Sequence, residues 1–278
     1  MPDAAEWTDR LDYVEAELNY IVDTGVPPCM YVDWPEEEHK ANRPQYEAHT
    51  CRIYDARPIA DRFDIAANGI EMKRIPSKVV DFYDADEVER VYNPEVAEII
   101  KNAMGASRVV VFDHTFRTYN DAVREANNTR APVKAVHNDY TDRSARQRLK
   151  DIMGDEEAGE LLEKRFAIVQ TWRPINHPVM TEPFALADGQ TVPNSSFVEL
   201  ERRYRYRTAV TYHCAYDPGH RFYYLKEMTP EETYIFKVFD TDKSAGVQFT
   251  CHTAFDDPAS PPDARPRESV ETRALVFF

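Results

Sequence analysis

Apolar residues recur along this chain with two different periods. In YVEAELNYIV (13–22), Val14, Ala16, Leu18, Tyr20 and Val22 alternate with other positions, the period of a half-buried strand. NPEVAEIIKNAMG (93–105) instead spaces Val96, Ile99, Ile100 and Met104 along one helical face. Asn93 suits its N-cap, Pro94 its first turn and Gly105 its end. SRVVVFDHTF (107–116) reads as a buried strand. DRSARQRLKDIMGDEEAGELLEKR (142–165) is helical in composition with a break at Gly154, and Thr141, Asp142 or Ser144 would cap it. The segment between, TGVPPCMYVDWPEEEHKANRP (24–44), is proline-broken and charged, and is expected as an extended surface segment.

From residue 166 the texture becomes a series of short β-type runs: FAIVQTW, SFVELERRYRYRTAVTYHCAY, RFYYLKEM, ETYIFKVFDT, GVQFTCHTAF and ETRALVFF. DPGH (217–220) is a turn between two of them. Such spacing predicts an antiparallel sandwich or barrel. The expected organisation is one domain over 1–278, with a mixed part over 1–106 packing on a β core over 107–278. No internal repeat or low-complexity tract interrupts it.

Composition narrows the functional classes. With 42% hydrophobic residues among 278, the chain can bury a sizeable core. A net charge of −15 argues against a nucleic-acid partner, which needs a basic face. The cluster Arg202, Arg203, Arg205 and Arg207 is local and is expected as a solvated strand edge. No apolar run reaches the roughly 18–20 residues that span a bilayer. MPDAAEWTDRLDYVEAELNY (1–20) lacks the basic and apolar regions of a signal peptide. Cys29, Cys51, Cys214 and Cys251 are far apart, which suits reduced thiols, so a cytoplasmic protein is expected.

Chemistry concentrates in AVHNDYT (135–141) and QFTCHTAFDDP (248–258). On a strand His137 and Asp139 would share one face, with Asn138 turned away. Gln248, Thr250 and His252 would share a face of a later strand. Each feature has a plain alternative: a polar pair beside a turn, a core histidine, and for Arg267 a surface ion pair with Glu268 or Glu271. Taken in order, however, His-x-Asp, a long β-rich gap, a lone His and a following Arg form the ligand set of a non-haem Fe(II) oxygenase. Arg267, with Arg273 second, would clamp the far carboxylate of 2-oxoglutarate, because a guanidinium stays charged when buried and binds carboxylates bidentately.

The motifs VVVFDHTFR (109–117), AVHNDYT (135–141), TWRPI (171–175), FYYLKEMTPEETYIFKVFD (222–240), HTAFDDP (252–258) and RESVETRALVFF (267–278) occur in that order. As a set they resemble the CmcJ/AsaB-like hydroxylases and desaturases of natural-product pathways, over roughly residues 10–278. The resemblance implies a double-stranded β-helix (jelly-roll or cupin-like) core with flanking helices. It implies Fe(II) held by His137, Asp139 and His252, with 2-oxoglutarate and O₂ as cosubstrates. The reaction implied is oxidation of an unactivated C–H bond of a small molecule. A cupin-like metalloenzyme that does not use 2-oxoglutarate, and a β-barrel small-molecule binder, are the alternatives.

Further positions are expected around such a site. Arg173, Trp172, His114 and Arg117 are candidates for substrate contact, and the many arginines favour a carboxylate-bearing substrate. Tyr140 and Cys251 are expected to pack. Lys226 and Met228 would line the barrel mouth, and His213 and His220 are expected to be exposed beside the DPGH turn.

Overall fold

The computed structural model describes Thr8 and residues 10–278, so the first part of MPDAAEWTDRLDYVEAELNY (1–20) lies outside the described residues. Fourteen strands follow one another. The first five are β1 (Tyr13–Ile21), β2 (Cys29–Tyr31), β3 (Tyr46–Asp55), β4 (Ile70–Arg74) and β5 (Arg108–Arg117). Then come β6 (His137–Asn138), β7 (Phe166–Pro174), β8 (Phe184–Ala187), β9 (Phe197–Arg203) and β10 (Thr208–Cys214). The last four are β11 (Phe222–Tyr224), β12 (Glu232–Asp240), β13 (His252–Ala254) and β14 (Ser269–Phe277). Helices α1 (Asn93–Met104), α2 (Asp121–Asn127) and α3 (Asp142–Leu162) flank them.

The strands form two sheets. One has nine strands in the order β1-β3-β11-β8-β13-β6-β10-β9-β2, the other five in the order β4-β12-β7-β14-β5. The main core lies between them, where Phe184 and Leu186 of one sheet meet Ile168, Trp172, Phe236 and Leu275 of the other. Alternation along β7 and β14 sends Ala167, Val169, Val270 and Ala274 to the outer face, where α1 covers them with Val96, Ile99 and Ile100. The result is a mainly β, jelly-roll (double-stranded β-helix) core with flanking helices. Within it, chain-distant β6 and β13 are neighbours.

Several local expectations hold. β1 buries Ala16, Leu18 and Tyr20 on its period of two. α1 ends at Gly105 in the left-handed conformation, φ 62°. Thr141 and Ser144 form a reciprocal cap at the start of α3, and Gly154 interrupts that helix at φ 75° and ψ 158°. All four cysteines are free thiols.

Others are corrected. The 24–44 segment contains β2, paired parallel to β9, and a 3₁₀ turn over Pro35–Lys40. Asn93 does not cap α1, because helical turns run into it from residue 85 and Asp84 caps their start through the amides of Asp86 and Glu87. β5 is only half-buried, since it sits at a sheet edge. β13 is just three residues long, so Gln248 and Thr250 precede it; their side chains bond the carbonyls of Asp240 and Ala187. β8 carries no expectation above, because its four residues offer too short a pattern to read.

Candidate metal centre

The register brings three histidines into one row across the larger sheet. His213 of β10 pairs with His137 of β6, and His137 pairs with His252 of β13. Directly paired residues share a face. Accordingly the His137 and His252 rings lie 4.3 Å apart and the His137 and His213 rings 5.7 Å apart. Asp139 follows the end of β6, just before Thr141 caps α3. It still returns to the same face: its Oδ1 is 3.5 Å from His137 Nε2 and 4.0 Å from His252 Nε2. The three residues each offer a ligand atom, all within 4.8 Å of one another. Asn138, between His137 and Asp139, gives its amide to the carbonyls of Tyr140 and Val238.

Neighbouring groups fix the protonation of this cluster. His137 Nδ1 donates to the Ala135 carbonyl at 2.7 Å, so Nε2 is the nitrogen that faces Asp139. Burial, with the His137 imidazole beside it, holds His252 down to about 3, so its ring is neutral at ordinary pH. Burial pushes the Asp139 carboxyl up. The Arg273 guanidinium and the two imidazoles outweigh it and hold the group well below the usual carboxylate range. Arg273 Nε and Nη2 both reach Asp139 Oδ2 at 2.7 Å, leaving Oδ1 to face the imidazoles. Two imidazoles and one ionised carboxylate on one face suit a divalent first-row metal with positions left open.

The lining of the site differs in part from expectation. Arg117 faces inward and ion-pairs with Glu271. Trp172 also faces inward, stacked on Phe184 at 4.9 Å, and Phe184 in turn lies 5.2 Å from the His252 ring. Arg173 and His114 point the other way. Arg173 lies over the Tyr92 ring on the outer face, and His114 bonds Thr272 and Asn93 there. Neither side chain is brought to the triad. Arg273 is bound by Asp139, Asp113 and Glu271. Arg267 is 1% exposed and lies 5.3 Å over the Trp172 ring. It has no carboxylate partner among the described residues, and its Nε has no hydrogen-bond partner there either.

His213 is buried rather than exposed, bonded to the Tyr46 hydroxyl at 3.0 Å, and His220 is partly buried against Tyr20 and Ser196. Met228 packs in the core and Lys226 is exposed, so neither lines a mouth. Tyr140 and Cys251 pack as expected. Sequence reasoning missed Asp113, Glu271 and Gln170. On β14, the alternation that places Arg273 inward also places Glu271 and Ser269 inward, a signal available in the sequence. A cavity of about 1040 Å³ opens from His137 and Asp139 along β5, α3 and β10. No helix among the described residues is long and apolar enough to cross a membrane.

Comparisons with known proteins agree with this geometry. A family model described as an oxidoreductase/YMDC permease-like domain matches residues 18–277. The Fe(II)/2-oxoglutarate-dependent dioxygenase nvfI of Aspergillus novofumigatus is 32% identical over 82% of this chain and 83% of its own. The hydroxylase/desaturase efuI of Hormonema carpetanum is 29% identical, over 86% of each chain. The solved structure of the iron and alpha-ketoglutarate-dependent endoperoxidase NvfI superposes with a TM-score of 0.84 at 27% identity, covering 96% of this chain and 98% of that one. The matched strands, the converging His-x-Asp and His side chains and these relatives all point one way: the chain belongs to the family of Fe(II)/2-oxoglutarate-dependent dioxygenases and hydroxylase/desaturases.

Proposed function

We propose that His137, Asp139 and His252 hold Fe(II), that Arg267 anchors 2-oxoglutarate, and that the enzyme oxidises an unactivated C–H bond of a small natural product. The observation that carries the reading is the convergence of three ligand atoms within 4.8 Å beside an open cavity. When bound, the iron with 2-oxoglutarate and O₂ supplies an oxidant able to remove hydrogen from such a bond, giving hydroxylation, desaturation or ring closure.

The residues around the triad fit this cosubstrate. Trp172 Nε1, both amide atoms of Gln170, Ser269 Oγ and Arg267 Nε are buried without hydrogen-bond partners among the described residues. Buried polar atoms are costly unless satisfied, and a dicarboxylate would satisfy several of them. Burial lowers Arg267 to about 10, which leaves it cationic at neutral pH. Its Nη1 donates to the Glu182 carbonyl, but no carboxylate among the described residues is in ion-pair contact with it, and a buried cation in that position recruits a carboxylate. Arg273 has three carboxylates already; its part is to orient Asp139. Phe184 and Phe236 pack on the His252 ring and exclude water from that side of the site.

An anaerobic mixture of the protein, Fe(II) and 2-oxoglutarate is expected to show a visible metal-to-ligand charge-transfer band. His252→Ala should abolish it. Arg267→Gln should keep Fe(II) binding and weaken 2-oxoglutarate about tenfold to a hundredfold, as loss of a charge-assisted hydrogen-bond pair predicts. A colourless wild-type mixture would overturn the cosubstrate assignment, and an unchanged 2-oxoglutarate affinity in Arg267→Gln would overturn the anchor.

A further inference from the structure

About half of the arginines of this acidic chain take carboxylates among the described residues: Arg57 binds Glu232, Arg143 binds Glu201, Arg165 binds Asp240 and Arg205 binds Glu36. Six arginines line the cavity beside the triad, and two of them, Arg117 and Arg273, are paired in the same way. Arg130, Arg148, Arg202 and Arg207 line it, and none has a carboxylate partner among the described residues. With a net charge of −15 there is no shortage of acids to pair them. Of the acids in the same lining, Asp113 and Asp139 are held by Arg273 and Asp151 accepts from Gln147, so the charge of the four arginines is left to face the cavity.

Two of the four flank the triad. Arg148, on the second turn of α3, lies 5.8 Å from the Phe112 ring and stands beside the Tyr140 hydroxyl, next in sequence to Asp139. Arg202, on β9, pairs with Ala209 of β10, the strand that also carries His213, the cross-strand partner of His137. Both are half-buried, whereas Arg130 and Arg207 are exposed at the rim. Arg267 is not part of this wall. The molecule thus holds two separate places for negative charge: one in the barrel interior and one on the cavity wall.

We propose that the cavity takes an anionic substrate, a carboxylate or acidic enol on a small apolar skeleton, with Arg148 and Arg202 as its specificity-determining residues. This rests on the reading of the triad as an oxygenase site. The anionic group would dock between α3 and β9, which leaves the apolar part of the molecule toward His137 and Asp139. The volume of about 1040 Å³ accommodates a ligand of drug-like size.

The test uses the Fe(II)- and 2-oxoglutarate-loaded protein without O₂, and two fluorescent probes of like skeleton. One is anionic, anilinonaphthalene sulfonate; the other is neutral, phenylnaphthylamine. Wild type should bind the sulfonate more tightly. The double variant Arg148→Ala, Arg202→Ala should lose about a hundredfold in sulfonate affinity, on the order of tenfold per charge-assisted contact, and keep its affinity for the neutral probe. The pair Arg148→Lys, Arg202→Lys retains the charge and should bind the sulfonate with intermediate affinity, which guards against misfolding of the alanine variant. An unchanged sulfonate affinity, or an equal loss for both probes, overturns the proposal. So does loss of the charge-transfer band together with the sulfonate, because the arginines would then serve the cosubstrate. If wild type shows no band while the probes still discriminate, the cosubstrate assignment fails and the anion site stands.

Discussion

The two carboxylate oxygens of Asp139 keep different company: Oδ2 takes both contacts from Arg273, and Oδ1 faces two imidazoles. Arg273 therefore sets the direction in which Asp139 presents Oδ1. Arg273→Gln should weaken Fe(II) binding about tenfold to a hundredfold, the usual effect of removing a group that orients a metal ligand. An anaerobic Fe(II) titration gives the answer, and equal affinities would show that Asp139 orients itself. At this scale the converging His137, Asp139 and His252 were legible because their residue types and order are restrictive. The supporting groups were legible only in part. Trp172 and Arg173 are adjacent on one strand, and His114 and Arg117 are three apart, so alternation alone forbids both members of either pair from facing the site. The structure turns Trp172 and Arg117 inward. Which parity faces inward depends on how the sheets stack, and a single strand does not carry that information.

Among the elements, α3 bears most directly on the site, because its cap begins two residues after Asp139. Thr141→Ala removes the side-chain half of a reciprocal cap and should cost about 1 kcal/mol. Thermal unfolding should then start about 2 °C lower. Gly154→Ala should cost about 1–3 kcal/mol, since its φ of 75° with ψ of 158° lies in a region open essentially to glycine. A denaturant midpoint unchanged from wild type would mean that the helix straightens instead. The long elements β1, α1 and α3 were readable because several turns or alternations repeat the same signal. β6 and β13, which carry His137 and His252, have two and three residues. Their pairing is set by neighbours rather than by their own pattern.

Taken whole, the molecule responds to acid through its buried histidines and carboxylates in the same direction. Burial lowers His252 to about 3 and depresses His213, His114 and His220. Asp139 and Glu271 are also lowered, each by nearby arginine against the effect of burial. A group whose folded value is depressed binds fewer protons folded than unfolded, so stability rises with pH across the interval between the two values. For the histidines that interval runs downward from an unfolded value of about 6.5. The metal-free protein should have its highest unfolding temperature above about pH 7 and lose stability steadily toward about pH 4, with the carboxylates adding to the loss at the acid end. A flat profile over that range would mean that the histidines reach solvent. The overall class was legible from the density of short strands, whereas the pairing of β3 with β11 and of β2 with β9 was not, because parallel neighbours leave no turn between them in the sequence. The row His213–His137–His252 has a kinetic corollary. Its members come from distant parts of the chain and meet only when β6 lies between β10 and β13. Contacts of such long sequence separation form late, after their loop-closure entropy has been met. The ability to bind Fe(II) should therefore appear with the slowest refolding phase, making the ion a reporter of completed folding rather than a template for it.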